Sequence, residues 1–282
     1  MSLSGRVSWL WMVLLIAGPA FGGHMVPPVE MERLIRAEAG DDSAVVRITV
    51  LYDNMPHDSR CTTAWGYAAL IERGSHVYLF DTGGDGPTLV SNMRELGVQL
   101  QRVEAIVLSH AHGDHTGGLI ELLRSGVDAP VYLLPSFPDE LKNEVAHWTQ
   151  AIEVAPGQAV GDGVYVTGEV AGVVPEQALV VTTDSGLVVV TGCAHPGVVA
   201  LVARAKGLRG EPVHLVMGGF HLRSAGSEQV RSVIAELQRL GVARVAPSHC
   251  TGDDAIALFR AQYGAGFVES GVGRVVLVTG AG

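Results

Sequence analysis

Four side chains able to ligate a metal, His110, His112, Asp114 and His115, fall within six positions directly after the apolar run Ala105-Ile106-Val107-Leu108. No other feature of the chain restricts its fold as tightly. A buried strand that empties into four polar or charged groups is costly unless something pairs them, because each unpartnered group forfeits its hydration. A metal supplies that partner. His110 and His112, two apart in an extended turn, can aim imidazoles at one ion, while Asp114 and His115 can face a second position nearby. Gly113, Gly117 and Gly118 let the backbone turn tightly around the cluster and start a helix. A lone histidine in such a composition is usually a structural or surface residue, whereas four donors in this spacing point to a metal loop.

Around that loop, short β-rich runs alternate with helical patterns and glycine-rich turns, and no low-complexity or like-charge stretch marks a linker. Strands are expected at 45–51, 68–71, 77–80 and 103–108, then at 179–182, 187–191, 215–217 and 275–278. Helical periodicity suits 87–96, 117–123, 198–205 and 227–240, the last with Val230, Ile234, Leu237 and Gln238 spaced for one buried face. Two β-rich halves with outer helices imply an α/β sandwich whose sheets share a rim. The metal loop and three further histidine-bearing turns, at 191–197, 217–222 and 247–252, would meet there.

With 282 residues, 48% of them hydrophobic and only 17% charged, the chain can bury a large core and is not of a disordered type. A net charge of −10 without a Lys/Arg block opposes a nucleic-acid binder and leaves small-molecule substrates. Arg6, the apolar run 7–20 and the small-x-small site Ala20-Phe21-Gly22 predict a signal peptide at 1–22 that is cleaved. The run is short for a membrane span, and Gly18 and Pro19 interrupt it, so no stable span is expected after processing. The expectation is an exported protein, periplasmic or secreted, with an N-terminal extension at 23–43 and one domain at 44–282. Three cysteines, Cys61, Cys193 and Cys250, leave at least one thiol unpaired in an oxidising compartment. No Gly-x-Ser-x-Gly elbow or Walker-type loop is present, which removes the warrant for serine-hydrolase and phosphate-loop chemistry.

The loop His110-x-His112-x-Asp114-His115, preceded by Leu79-Phe80-Asp81-Thr82-Gly83, resembles the hallmark of the metallo-β-lactamase superfamily. Asp53-Asn54, Thr167-Gly168-Glu169-Val170, Gly192-Cys193-Ala194-His195, Gly218-Gly219-Phe220-His221 and Ser248-His249-Cys250-Thr251-Gly252 extend the likeness over 50–251. Together they resemble one branch, the dihydropterin-aminobenzene ribofuranosyl-phosphate synthase-like metallo-hydrolases. The resemblance implies an αββα sandwich of two mixed sheets flanked by helices. It also implies a metal-dependent hydrolase with a metal-activated water at a dinuclear site, holding two divalent ions, zinc before manganese or iron.

Carried over position by position, it implies His195, His221 and His249 as ligands beside the four in the loop. Asp114 would also orient the nucleophile, and Asp81 would hold a ligating imidazole from behind. Cys193 stands where other branches place a bridging Asp or Cys, so its thiolate is a candidate ligand; a small buried residue packing beneath the site is the preferred reading. Glu169 is a minor candidate of the same kind. A pterin-related synthase and a non-catalytic metal-binding domain are the alternatives to the hydrolase. One departure stands out: where the branch has Glu-His-Gly, this chain has Ala64-Trp65-Gly66-Tyr67, an indole for an imidazole, so substrate specificity does not transfer. His24, His57, His76 and His147 read as surface residues and His214 as a strand residue.

Overall fold

The computed structural model describes residues 45–279; the expected signal peptide and N-terminal extension lie outside the described residues, as does His24. Strand β1 (Val46–Tyr52) pairs antiparallel with β2 (Ala68–Arg73), which turns back through Gly74 at φ 56° into β3 (His76–Phe80). The next strand, β4 (Ala105–Val107), runs parallel to β3, so the chain must cross over first. Helix α1 (Gly86–Glu95) makes that crossing. The side chain of Asp85 caps it by accepting from Thr88 N at 2.8 Å, and Pro87 sits in its first turn, where a missing N–H is harmless.

After β4 come two short helices, α2 (Gly113–Thr116) and α3 (Leu119–Arg124), then β5 (Val131–Leu133), α4 (Asp139–Trp148) and β6 (Ala151–Glu153). A second sheet is built from β7 (Ala159–Gly161), β8 (Val164–Val166), β9 (Leu179–Thr183), β10 (Gly186–Thr191), β11 (Val213–Gly219) and β12 (Arg244–Ser248). Parallel crossovers between β10, β11 and β12 are carried by α5 (Val198–Arg209) and α6 (Ser227–Arg239), and α7 (Asp253–Tyr263) follows β12. Strand β13 (Val275–Val278) then returns to pair with β1. The sheets read β13-β1-β2-β3-β4-β5-β6 and β12-β11-β10-β9-β8-β7, and both mix parallel with antiparallel pairs. This is the expected αββα sandwich.

Strand β10 shows why the layers form. Every residue of Gly-Leu-Val-Val-Val-Thr is buried, which is what a strand covered on both faces requires. Its side chains alternate between two cores: Val188 and Val190 join Leu79, Val107 and Met217 between the sheets, while Leu187 and Val189 join Leu201, Ile234 and Phe259 under the helices.

Several boundaries differ from the sequence expectation. The helix expected over 117–123 starts at Leu119, and a separate short helix, Gly113–Thr116, precedes it; Gly117 and Gly118, packed against the backbone of Gly84 and Thr82, lie between the two. Asp114 and His115 consequently lie on a helical turn. In α6, Val230, Ile234 and Leu237 are buried but Gln238 is exposed. Helix α5 runs on to Arg209 and stops where Gly210 adopts φ 74°. Helices α4 and α7 have no counterpart in the expectation. His57, His76 and His147 are exposed, and His214 lies in β11. No helix among the described residues is long and apolar enough to cross a membrane.

Candidate metal centre

The C-terminal ends of β3, β4, β10, β11 and β12 bring together Asp81, His110, the turn Cys193-Ala194-His195, His221 and His249. Among the described residues, the four non-glycine residues with positive φ are Asp81 (57°), Ala194 (61°), His221 (52°) and His249 (50°), each just past a strand end in this cluster. Left-handed backbone at such residues persists only where the surroundings enforce it, and such strain concentrates at functional sites.

Three histidines have their Nδ1 atoms engaged from behind. His115 Nδ1 lies 2.7 Å from Asp81 Oδ2. His249 Nδ1 lies 2.9 Å from Asn54 Oδ1, an acceptor, so the imidazole must donate. Ser109 Oγ gives its single proton to the same Asp81 oxygen at 2.7 Å, so at 2.9 Å it can only accept from His110 Nδ1. Each ring therefore turns Nε2 forward. These atoms point at one another or at sulfur: His110 Nε2 is 3.1 Å from His112 Nδ1, and His115 Nε2 is 3.2 Å from Cys193 Sγ. The buried Nε2 of His195 has no hydrogen-bond partner, and that of His249 faces Asp114 Oδ2 at 3.4 Å. Lone pairs converging without donors are what a cation would satisfy.

The donors fall into four sets whose atoms lie within 4.8 Å of one another: Asp114, His115, Cys193 and His249; His110, His112 and Asp114; His110, Cys193 and His195; and Cys193, His221 and Cys250. All seven residues expected as ligands are in this cluster. Cys193, read from sequence chiefly as packing, has its sulfur in three of the four sets, and all three cysteines are free thiols. Glu169 is in none; it is exposed and accepts from Ser136 N at 3.2 Å.

Burial, then the neighbouring imidazoles, holds His110 below the ordinary histidine range, and burial with His221 lowers His195 to about 4. Both are neutral and available as ligands at neutral pH. Burial alone would raise Asp114, but its hydrogen bond with His249 and the charge of His115 outweigh this and hold it well below the carboxylate range. Burial likewise opposes protonation of His115, and Asp81 overrides it. The Cys193 thiol is pushed up, by its hydrogen bond with Cys250 first and by burial second.

Two further carboxylates, Glu176 and Asp53, are buried behind the cluster. Glu176 accepts backbone N–H groups from Gly192, Cys193 and Ala194 on Oε1 and from His195 on Oε2, at 2.8 to 3.1 Å. Burial pushes it up to about 7 against those donors. Asp53, at the end of β1, is raised by burial to about 6 and receives Met55 N at 2.9 Å. At the outer edge, the half-exposed Trp65 ring lies 4.7 Å from that of His249, with the Arg223 guanidinium 5.1 Å above the indole. A cavity of about 570 Å³ opens beside His249, Asn54 and Arg223.

Comparison with known proteins agrees with this arrangement. A curated relative, the 7,8-dihydropterin-6-methyl-4-(beta-D-ribofuranosyl)-aminobenzene-5'-phosphate synthase of Methanocaldococcus jannaschii, is 29% identical, covering 81% of this chain and 95% of the relative. The crystal structure of Tm1679, a metal-dependent hydrolase of the beta-lactamase superfamily, superposes with a TM-score of 0.72 at 26% identity, covering 83% of this chain and 99% of that one. The metallo-beta-lactamase fold protein YhfI of Bacillus subtilis shares the fold, with a TM-score of 0.64 at 16% identity over 83% of this chain and all of that one. Residues 66–249 match the family model for the metallo-beta-lactamase superfamily, and the chain belongs to that superfamily.

Proposed function

We propose that this protein is a metal-dependent hydrolase of small molecules with a dinuclear centre. The observation that carries the reading is the set of forward-facing Nε2 atoms on His110, His115 and His249, each fixed by a partner on Nδ1. One position would be held by His110, His112 and His195, the other by Asp114, His115 and His249, with Cys193 between them. His221 reaches the Cys193 and Cys250 sulfurs, so it would join the centre through Cys193. Imidazoles with a carboxylate and a buried thiol suit zinc better than the oxygen-preferring manganese, with iron intermediate.

Bound divalent ions would supply Lewis acidity and bring the pKa of a water nucleophile to about 7. The chain's own groups do the rest. Asp114, anionic at working pH, orients the attacking water by accepting its hydrogen bond. Asp81 fixes His115 directly and His110 through Ser109, so neither ring can turn away. Trp65 and Arg223 present an aromatic face and a cation to substrate entering beside His249. The N-terminal apolar segment supports export to the periplasm or the medium.

Similarity to the archaeal synthase favours a second reading, a transferase acting on a pterin. Turnover assays over ester, lactone, lactam and phosphodiester panels, set beside a pterin-transfer assay, separate the two. Variants of the loop test the centre itself. His112→Ala should lower total metal content and abolish turnover. Asp114→Asn should keep about one ion per chain yet lose on the order of 100-fold or more in rate, because half of a two-metal site is gone. Both should fold, since the core is built from Val, Leu and Ile strands. Wild-type metal content and rate in His112→Ala would remove this loop from the catalytic centre.

A further inference from the structure

The turn after β10 carries two of the central donors, Cys193 and His195, on a backbone that does not favour its own conformation. Ala194 sits at φ 61°, a region that a residue with a Cβ avoids. Four successive amides, from Gly192 to His195, point inward from this turn, and a concave row of N–H groups of this kind is an anion receptor. The anion is supplied by the chain. Glu176, fully buried, fills it with both oxygens and meets all four amides. Its own backbone is pinned by a β-bridge to Val170, and the neighbouring Gln177 is tied to β4 by Gln177 N to Ser109 O at 2.9 Å and Gln177 Nε2 to Leu108 O at 2.8 Å. Glu176 Oε2 also comes within 3.9 Å of His110 Nδ1. The Glu176-Gln177 pair thus ties the segment after β4 that carries His110 to the turn that carries His195.

We propose that Glu176 is a positioning residue for metal binding: by occupying the amide nest at 192–195, it holds His195 and Cys193 in register with His110. Asp81 serves the opposite side, holding His115. Asp81 also reaches His110 through Ser109, whereas of the two only Glu176 holds the 192–195 turn. The proposal rests on the metal-centre reading for its consequence, but the clamp itself is a property of the chain without metal.

Glu176→Gln is the test, because it keeps size and shape while placing an amide NH₂ against at least one N–H donor. In metal-free full-length protein, hydrogen exchange should accelerate at amides 192–195 and remain unchanged around Asp81. Zinc titration against a chromophoric chelator should show one ion weakened by about 10- to 100-fold, as for other residues that orient ligands, with the second ion retained. Ala194→Gly removes the strain that the clamp opposes, so Glu176→Gln should lose less zinc affinity in that background than alone. Should Glu176→Gln fail to fold alone, the double variant must fold and bind; if it does not, Glu176 is a fold residue and the proposal fails. Unchanged exchange and affinity, equal weakening of both ions, or no coupling to Ala194→Gly would each overturn it. Wild-type protein that binds no zinc would sink the metal reading while leaving the exchange result to decide the clamp.

Discussion

At the scale of single residues, the centre is organised by what stands behind each ligand. Asp53 is instructive because it ligates nothing in the proposed assignment yet sits buried beside Ser248 and His249 with one carboxylate oxygen unpartnered. In the unfolded chain it ionises near its ordinary value of 3.8, whereas burial keeps the proton in the fold up to about 6. Between those values the folded state binds more protons, so stability falls as pH rises through the window, and the full loss is present above about 6. Asp53→Asn escapes this titration, keeps an oxygen for Met55 N and gains an N–H for Ser248. Denaturant unfolding of metal-free protein should find the variant more stable than wild type at pH 8, by on the order of 2 kcal/mol, and no more stable at pH 4. A destabilised variant at pH 8 would mean that the charge is wanted. The crowding of His110, His112, Asp114 and His115 was legible from spacing alone, whereas His195, His221 and His249 were reached through the family resemblance and Cys193 was read chiefly as packing. Glu176 was not legible, because a carboxylate that serves backbone amides carries no spacing signature.

Secondary-structure elements meet closely where β10 ends. A Cβ built on Gly192 would stand 2.1 Å from Ser109 Oγ and 2.9 Å from Asp81 Oδ2, so only a hydrogen fits between the two sheets' strand ends. Gly192→Ala must push Ser109 off Asp81 and thereby release His110 Nδ1. Overpacking of this kind typically destabilises by about 1–3 kcal/mol. Thermal unfolding should show that loss, and zinc affinity should fall with it; full stability and affinity would mean that the contact is not tight. The long, strongly patterned elements were legible: β10 from its unbroken apolar run and α6 from its 3.6-residue repeat. Helix α4 was not, because among its ten residues only Val145 is buried, leaving almost no apolar stripe to read. The break between α2 and α3 was equally hidden, since the packing of Gly117 on Gly84 is a tertiary fact.

On the scale of the whole molecule, the proposed ligands come from both sheets, so bound ions tie the layers together at one rim. Ligand bound only by the folded state stabilises it by mass action, about 2.7 kcal/mol at a hundredfold excess over the dissociation constant. Calorimetry before and after chelation and dialysis should therefore show a fall in Tm on the order of 5–10 °C for a domain of this size. Equal Tm values would argue that no ion is held in the native state. The overall sandwich was legible because two β-rich halves with outer helices have few other ways to bury their apolar faces. The pairing of β13 with β1, which returns the end of the domain to its beginning, could not be read, because nothing local in a four-residue apolar run names its neighbour.

The hydrogen bond between Asn54 and His249 joins residues 195 apart in the chain. A receptor assembled from such distant segments does not exist until the chain has closed nearly its full length, so folding must precede loading. The ions cannot act as a template for early collapse, as they do in small zinc modules. Any ions bound there would be a late acquisition, and the metal supply of the compartment in which the chain folds would bear on their identity alongside the donor set. A chain that crosses a membrane unfolded would leave the cytoplasmic metal pool behind and draw its ions from its destination.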